Sequence, residues 1–193
     1  MRNYNNTNMF KTGLNTVLKT TIAEIKTFIQ DRFKGLNRRS AIIGFSGGLD
    51  SSLTAALAVK SLGKELVSLY YLLERDSKPI HRKHAMLLAE HLDLNLNVLR
   101  ISRSLQALGV YRLLPLRFVP TQKLKAKAVS YERKRFLTIN NGELLSTRLT
   151  ASGCSWVARG NAYASSKHRL RMVALYLKAE STRSLVIGAA NRT

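Results

Sequence analysis

The sequence predicts an α/β fold, a doubly wound parallel sheet with helices on both faces, and three observations predict it. Strand-like and helix-like segments alternate along the first hundred residues. The first two strands are continuous apolar runs, as strands covered on both faces require. The first of them, Ala41 to Phe45, delivers a glycine-rich turn directly into a helix start.

Taken in order, Leu14, Val17, Leu18, Ile22, Ile25, Phe28, Ile29 and Phe33 recur at helical spacing, which predicts an amphipathic helix packed on the core sheet. A polar connection over 35–39 leads into the strand at Ala41. Leu53, Leu57, Ala58 and Leu62 outline the next helix, Gly63 stops it, and residues 65–73 form a second buried strand. Ser77 and Pro79 open a further helix with the stripe Ala85, Leu88, Ala89 and Leu92, and 95–101 alternates as a third strand. Between Gly109 and Gly160 the periodicity fades, with Pro115, Pro120, Gly142 and Gly153 as punctuation and one basic helix over 122–136. The stretch 110–160 is expected to be an irregular excursion or lid over the ligand edge of the sheet. Order returns at Lys167, where Leu170, Val173, Ala174, Leu177 and Lys178 outline a helix, followed by a strand over 184–188.

With 193 residues, 45% of them hydrophobic and 22% charged, the chain suits one domain with a substantial core. No apolar stretch approaches the ~20 residues of a membrane span, and the polar first residues lack the apolar core of a signal peptide, so the cytoplasm is the expected compartment and no membrane is expected as partner. Cys154 has no second cysteine to pair with and is assigned no role. His81 and His84 share a helix face, but no cysteine or carboxylate set completes a metal site around them. The net charge of +21 is unevenly placed: residues 1–99 hold 14 basic and 8 acidic side chains, residues 100–193 hold 18 and 3. Such a surface could meet nucleic acid at Lys123, Lys125 and Lys127 or at Arg133 and Arg135. Aromatic residues do not interleave with these charges as stacking platforms would, so for the Arg133 cluster a solvated basic face is the favoured reading.

Chemistry concentrates in the turn after the first strand. Ser46, Gly47 and Gly48 allow a sharp backbone turn whose N–H groups point at an anion, and the helix that comes next adds about half a positive charge at its start. The run is neither a Walker A loop, since no Gly-Lys-Ser/Thr follows, nor the Gly-x-Gly-x-x-Gly dinucleotide fingerprint. Asp50 stands where Walker A has lysine and suits a magnesium ion, which prefers one or two carboxylates together with phosphate oxygens. Helix capping alone would account for Asp50 but would leave the paired glycines and flanking serines without a purpose.

Two segments carry a family resemblance: Gly44, Phe45, Ser46, Gly47, Gly48, Leu49, Asp50 and Ser51 in one, and Lys167 to Met172, Tyr176 and Leu185 to Thr193 in the other. On these residues the chain resembles the ammonia-dependent NAD synthetases of the N-type ATP pyrophosphatase family. The resemblance implies a Rossmann-like fold of the adenine nucleotide alpha hydrolase type, a single domain over 1–193, and a ligase reaction. ATP would adenylate the nicotinate carboxylate of deamido-NAD with release of pyrophosphate, and ammonia would then displace AMP to give NAD. It further implies that residues 44–51 and Ala189 contact ATP, that Asp50 holds Mg2+, that Arg169 contacts deamido-NAD and that the protein is a homodimer. No catalytic side chain is assigned.

Ala189 replaces the family's usual threonine, and the family's second magnesium carboxylate would come after Thr193. On the family pattern the chain is therefore expected to match the first two thirds of a synthetase, incomplete at its carboxyl end. The competing expectation is a homologue that binds nucleotide or nucleic acid without catalysis.

Overall fold

Ala41, Ile42 and Ile43 are at most 1% exposed, because β1 (Ser40–Gly44) is paired on both sides and covered on both faces. The protein's computed structural model describes residues 4–113 and 155–188, with side chains over 16–113 and 158–188. Beside β1 lie β2 (Val67–Leu73), β3 (Leu96–Arg100) and β4 (Ser184–Ile187), in the order β3-β2-β1-β4 with every pairing parallel. Ala41 stands opposite Val67 on one side and Leu185 on the other. The predicted parallel sheet is therefore observed. The helices are α1 (Tyr4–Gly35), α2 (Leu49–Leu62), α3 (Pro79–His91), α4 (Ser102–Ala107), α5 (Val110–Leu113) and α6 (Ser155–Ser181).

The chain divides into two compact units, one of residues 1–100 with 173–193 and one of residues 101–172. In the first unit, alternation along the strands sends side chains to opposite faces of the sheet. Ile43, Val67, Leu69 and Tyr71 pack with Phe45 and with Ala55, Ala58, Ala85 and Ala89 from α2 and α3. Ile42 and Tyr70 pack on the other face with Leu175 and Ala179 of α6. Burial pushes the Tyr70 phenol above its ordinary pKa, so it stays protonated. At one corner of this unit Arg38 forms a two-pronged ion pair with Glu180, both N···O distances being 3.1 Å. Beside it the hydroxyls of Ser40, Ser184 and Thr182 stand in line, with 2.6 Å between successive oxygens.

In the second unit Gly109, at φ +70°, turns the chain between α4 and α5, which bury Leu105 and Val110. Tyr111 and Tyr163 lie with ring centres 6.5 Å apart, and the buried Lys167 sits 4.5 Å above the Tyr163 ring while donating to its hydroxyl at 3.3 Å.

Several expectations are corrected. The first helix runs from Tyr4, well before Leu14, and packs chiefly on α2 rather than on the sheet. The Gln30 amide donates to the Ser61 carbonyl at 2.8 Å. The reason is geometric: α2 and α3 already cover that face. Within α2 the small residues Ala55, Ala58 and Ser61 face inward while Leu53 is 59% exposed, since a helix this close to a sheet needs short side chains at the contact. Residues 64–66 form a 3-10 turn, with the Leu66 N–H bonded to the Gly63 carbonyl at 3.3 Å, so the second strand begins at Val67 and not at Glu65. The last helix starts at Ser155 rather than Lys167: Asn161, Ala162 and Ala164 show no apolar stripe, but nothing there breaks a helix. Its inward residues Leu175 and Ala179 differ from the predicted stripe, in which Val173 and Leu177 are exposed. The predicted helix over 122–136, and residues 114–154 of the predicted excursion, lie outside the described residues.

Leu69 is fully buried between α2, α3 and the strands. Leu69→Ala should lower unfolding stability by about 2–5 kcal/mol, measured as a drop in the urea midpoint with the slope unchanged.

Candidate functional site

The strand order places a topological switch point between β1 and β4. The chain steps outward from β1 to β2 to β3 and then returns to the far side of β1. Crevices at the carboxyl ends of strands flanking such a reversal are where open α/β sheets take their ligands. The loop leaving β1 there is Phe45 to Gly48. Phe45, 1% exposed, anchors it: its side chain is in the core and its N–H donates to the Tyr70 carbonyl at 2.8 Å. Beyond this anchor Ser46, Gly48, Leu49 and Asp50 are exposed, Leu49 to 83%.

Gly47 adopts φ +75°, the left-handed region, and it also passes very close to α3. A Cβ on Gly47 would lie 2.7 Å from the Ala85 backbone nitrogen and 3.0 Å from its Cα. Gly48 is the N-cap of α2, in extended conformation and with no side chain to cap the helix. The Leu49, Asp50 and Ser51 N–H groups at the start of α2 have no partner within the helix, and the N-cap glycine has no side chain to take one of them. They form a donor set at the positive end of the helix dipole, suited to phosphate oxygens.

The serines brace this loop. Ser51 Oγ donates to the Gly48 carbonyl at 3.0 Å and accepts from the Ser46 N–H at 3.3 Å. With its hydrogen thus committed, the 3.0 Å contact between the two hydroxyls has Ser46 as donor, and Ser46 Oγ in turn accepts from the Gly48 N–H at 3.2 Å. Ser52 Oγ adds a bond of 2.8 Å to the Gly48 carbonyl. Asp50 stands exposed in the first turn of α2 and, among the described residues, makes no ion pair or side-chain hydrogen bond. A free carboxylate beside a turn of this geometry suits magnesium, whose other ligands would be phosphate oxygens and water. No group of three or more histidine, cysteine or acidic side chains among the described residues could hold a metal by itself.

The loop after β2 ends on the same rim, since β1 and β2 are parallel neighbours. It is closed on itself by Ser77 N–H to the Glu74 carbonyl at 3.0 Å and Glu74 N–H to Ser77 Oγ at 3.1 Å, and Glu74 is buried. The structure thus brings together Gly44 through Ser51. Arg169 is exposed on α6 in the second unit, and Ala189 lies outside the described residues.

The NAD synthase family model matches residues 21–136, more than half of the chain. The chain belongs to the NAD synthase family. An NH(3)-dependent NAD(+) synthetase of Thermotoga neapolitana is 35% identical over 186 residues, 96% of this chain and 61% of that protein. Its counterpart from Thermotoga maritima is 36% identical over 168 residues, 86% of this chain and 58% of the relative. The chain therefore spans about three fifths of the length of these relatives. Among solved structures, the NH3-dependent NAD synthetase of Campylobacter jejuni in complex with the nitrate ion aligns with a TM-score of 0.56 at 24% identity, covering 90% of this chain and 56% of that one. The NMN synthetase of Francisella tularensis aligns equally well, at a TM-score of 0.56 and 24% identity over 90% of this chain and 54% of that one. Both share the parallel architecture, and in this NAD synthase family member the glycine turn falls at its switch point.

One partner of the site was not legible as such: Ala85 reads in sequence as an ordinary member of an apolar helix stripe, and only the fold shows that it lies under Gly47. Gly47→Ala should destabilise the protein by about 1–2 kcal/mol from the left-handed backbone alone, with more from overlap with α3. A lower urea midpoint than for Gly35→Ala, at an exposed position with nothing within 4 Å, is the expected outcome.

Proposed function

We propose that the chain carries the ATP-activating part of an ammonia-dependent NAD synthetase. The observation that carries this reading is the uncapped start of α2 behind Gly47 and Gly48 at the switch point, with the Asp50 carboxylate free beside it. The nicotinate carboxylate of deamido-NAD attacks the α-phosphorus of ATP, and the bond to the β-phosphate breaks with pyrophosphate leaving. Ammonia then adds to the activated carbonyl carbon, loses a proton, and expels AMP to leave the amide of NAD. Residues 44–51 serve the first step: the N–H groups of the turn and of the α2 start take up charge on the departing phosphates. Asp50 would hold magnesium, which when bound neutralises phosphate charge. Arg169 would bind the anionic deamido-NAD through its guanidinium, and Ala189 would lie along the ATP site without a hydroxyl to donate.

The synthetases of both Thermotoga species support the choice of substrates. No described helix is long and apolar enough to cross a membrane, and we place the reaction in the cytoplasm. The exposed Val173, Tyr176 and Leu177 on α6 support a homodimer. Nucleic acid is not favoured as a partner.

Incubation with deamido-NAD, ATP, Mg2+ and ammonium should yield AMP and NAD in equal amounts, measured by chromatography. Asp50→Ala should slow AMP formation roughly a hundredfold, in line with the several kcal/mol a metal supplies to such a step. An unchanged rate in that variant would remove Asp50 from the site, and ATP binding with no AMP release would make the chain a non-catalytic nucleotide binder.

A further inference from the structure

The phosphate-binding turn does not stand on its own strand and helix alone. Gly47 rests on the middle of α3, a helix that belongs to the next βα unit. The separation is so small that any side chain on Gly47 would meet α3 main chain: Ala85 N at 2.7 Å, Cα at 3.0 Å and Cβ at 3.2 Å from an ideal Cβ position. Ala85 is fully buried, wedged between this turn and the cluster of Ile43, Phe45, Leu69 and Tyr71. The turn has no slack on that side.

We infer that Ala85 is a positioning residue for nucleotide binding: by being small, it sets the height at which the turn through Gly47 presents the N–H groups of the α2 start to phosphate. The inference rests on the reading of this turn as an ATP site. It adds a residue far from the glycine run in sequence, on an element whose own side chains need not touch the nucleotide. A β-branched replacement has one strongly preferred rotamer in a helix, so it cannot swing its added methyl groups away. With a packed cluster on one side and backbone on the other, the turn is the part able to move, because Ser46 and Gly48 are exposed. Ala89, one turn further along α3, separates the positioning role from core damage in general. It is 1% exposed in the same cluster, but its carbonyl accepts from the Leu94 N–H at 3.0 Å and it faces the start of β3, at the opposite rim.

Binding of MgATP to the purified chain by titration calorimetry, beside melting temperatures, tests the assignment on Ala85→Val, Ala85→Gly and Ala89→Val. Both valine variants should melt lower. Ala85→Val should bind MgATP roughly tenfold more weakly, the consequence of a shift costing about as much as modest overpacking. Ala89→Val should bind within about twofold of the wild type, as should Ala85→Gly, which leaves the turn its room. Wild-type affinity in a folded Ala85→Val, or equal losses in Ala85→Val and Ala89→Val, would overturn the role of Ala85 while leaving the ATP site standing. Failure of the wild-type chain itself to bind MgATP would overturn the site reading on which the inference rests.

Discussion

The backbone hydrogen bonds that hold β1 between β2 and β4 determine where the functional turn can be. A strand paired on both sides and covered on both faces cannot shift by one residue without turning Ile42 and Ile43 to the wrong clusters. Its end point is therefore fixed, and Phe45 carries that certainty one residue past the strand, with its ring in the core and its N–H on Tyr70. The backbone after Phe45 emerges at the surface, yet it inherits a defined position from the most buried part of the protein. Rigid support beneath polar, accessible donors is the arrangement that pre-organised anion binding requires.

The serines of the turn have a different task from the one their position in a phosphate loop suggests at first sight. Ser46 and Ser51 satisfy one another and the Gly48 main chain, so the turn keeps its shape without depending on a bound anion. Side chains hold the loop and leave the N–H groups of the α2 start exposed. Such a division is economical in a short turn, because main-chain N–H groups have no rotamer freedom to lose on binding.

The sequence made much of this legible, and the reasons differ by element. The apolar run at Ala41 and the glycines after it announce a buried strand and a tight turn because both depend on local chemistry. The stripe on α3 was legible as well. Partnership between elements was not. Leu53 and Leu57 stand out as apolar residues at helical spacing, yet α2 meets the sheet through Ala55 and Ala58, since the separation between layers rather than hydrophobicity selects the residue at closest contact. The first stretch of α6 lacks periodicity and so carries no signal, although its composition allows a helix. The closeness of Ala85 to Gly47 connects residues 38 positions apart and has no trace in either neighbourhood.

The row of hydroxyls at the opposite rim has a direction. Thr182 donates to the Lys178 carbonyl at 2.9 Å, so its single hydrogen is committed, and the 2.6 Å contact with Ser184 must run from Ser184 to Thr182. Ser184 has then spent its own hydrogen, and Ser40 must donate to it. One helix carbonyl thereby orders three protons across the first residue of β1, the first residue of β4 and the residue that follows α6. The row works as a polarity-matched key between the two strands that flank the switch point. A slip of β4 by one residue would present Leu185 to Ser40 in place of the buried Ser184 hydroxyl and break the row.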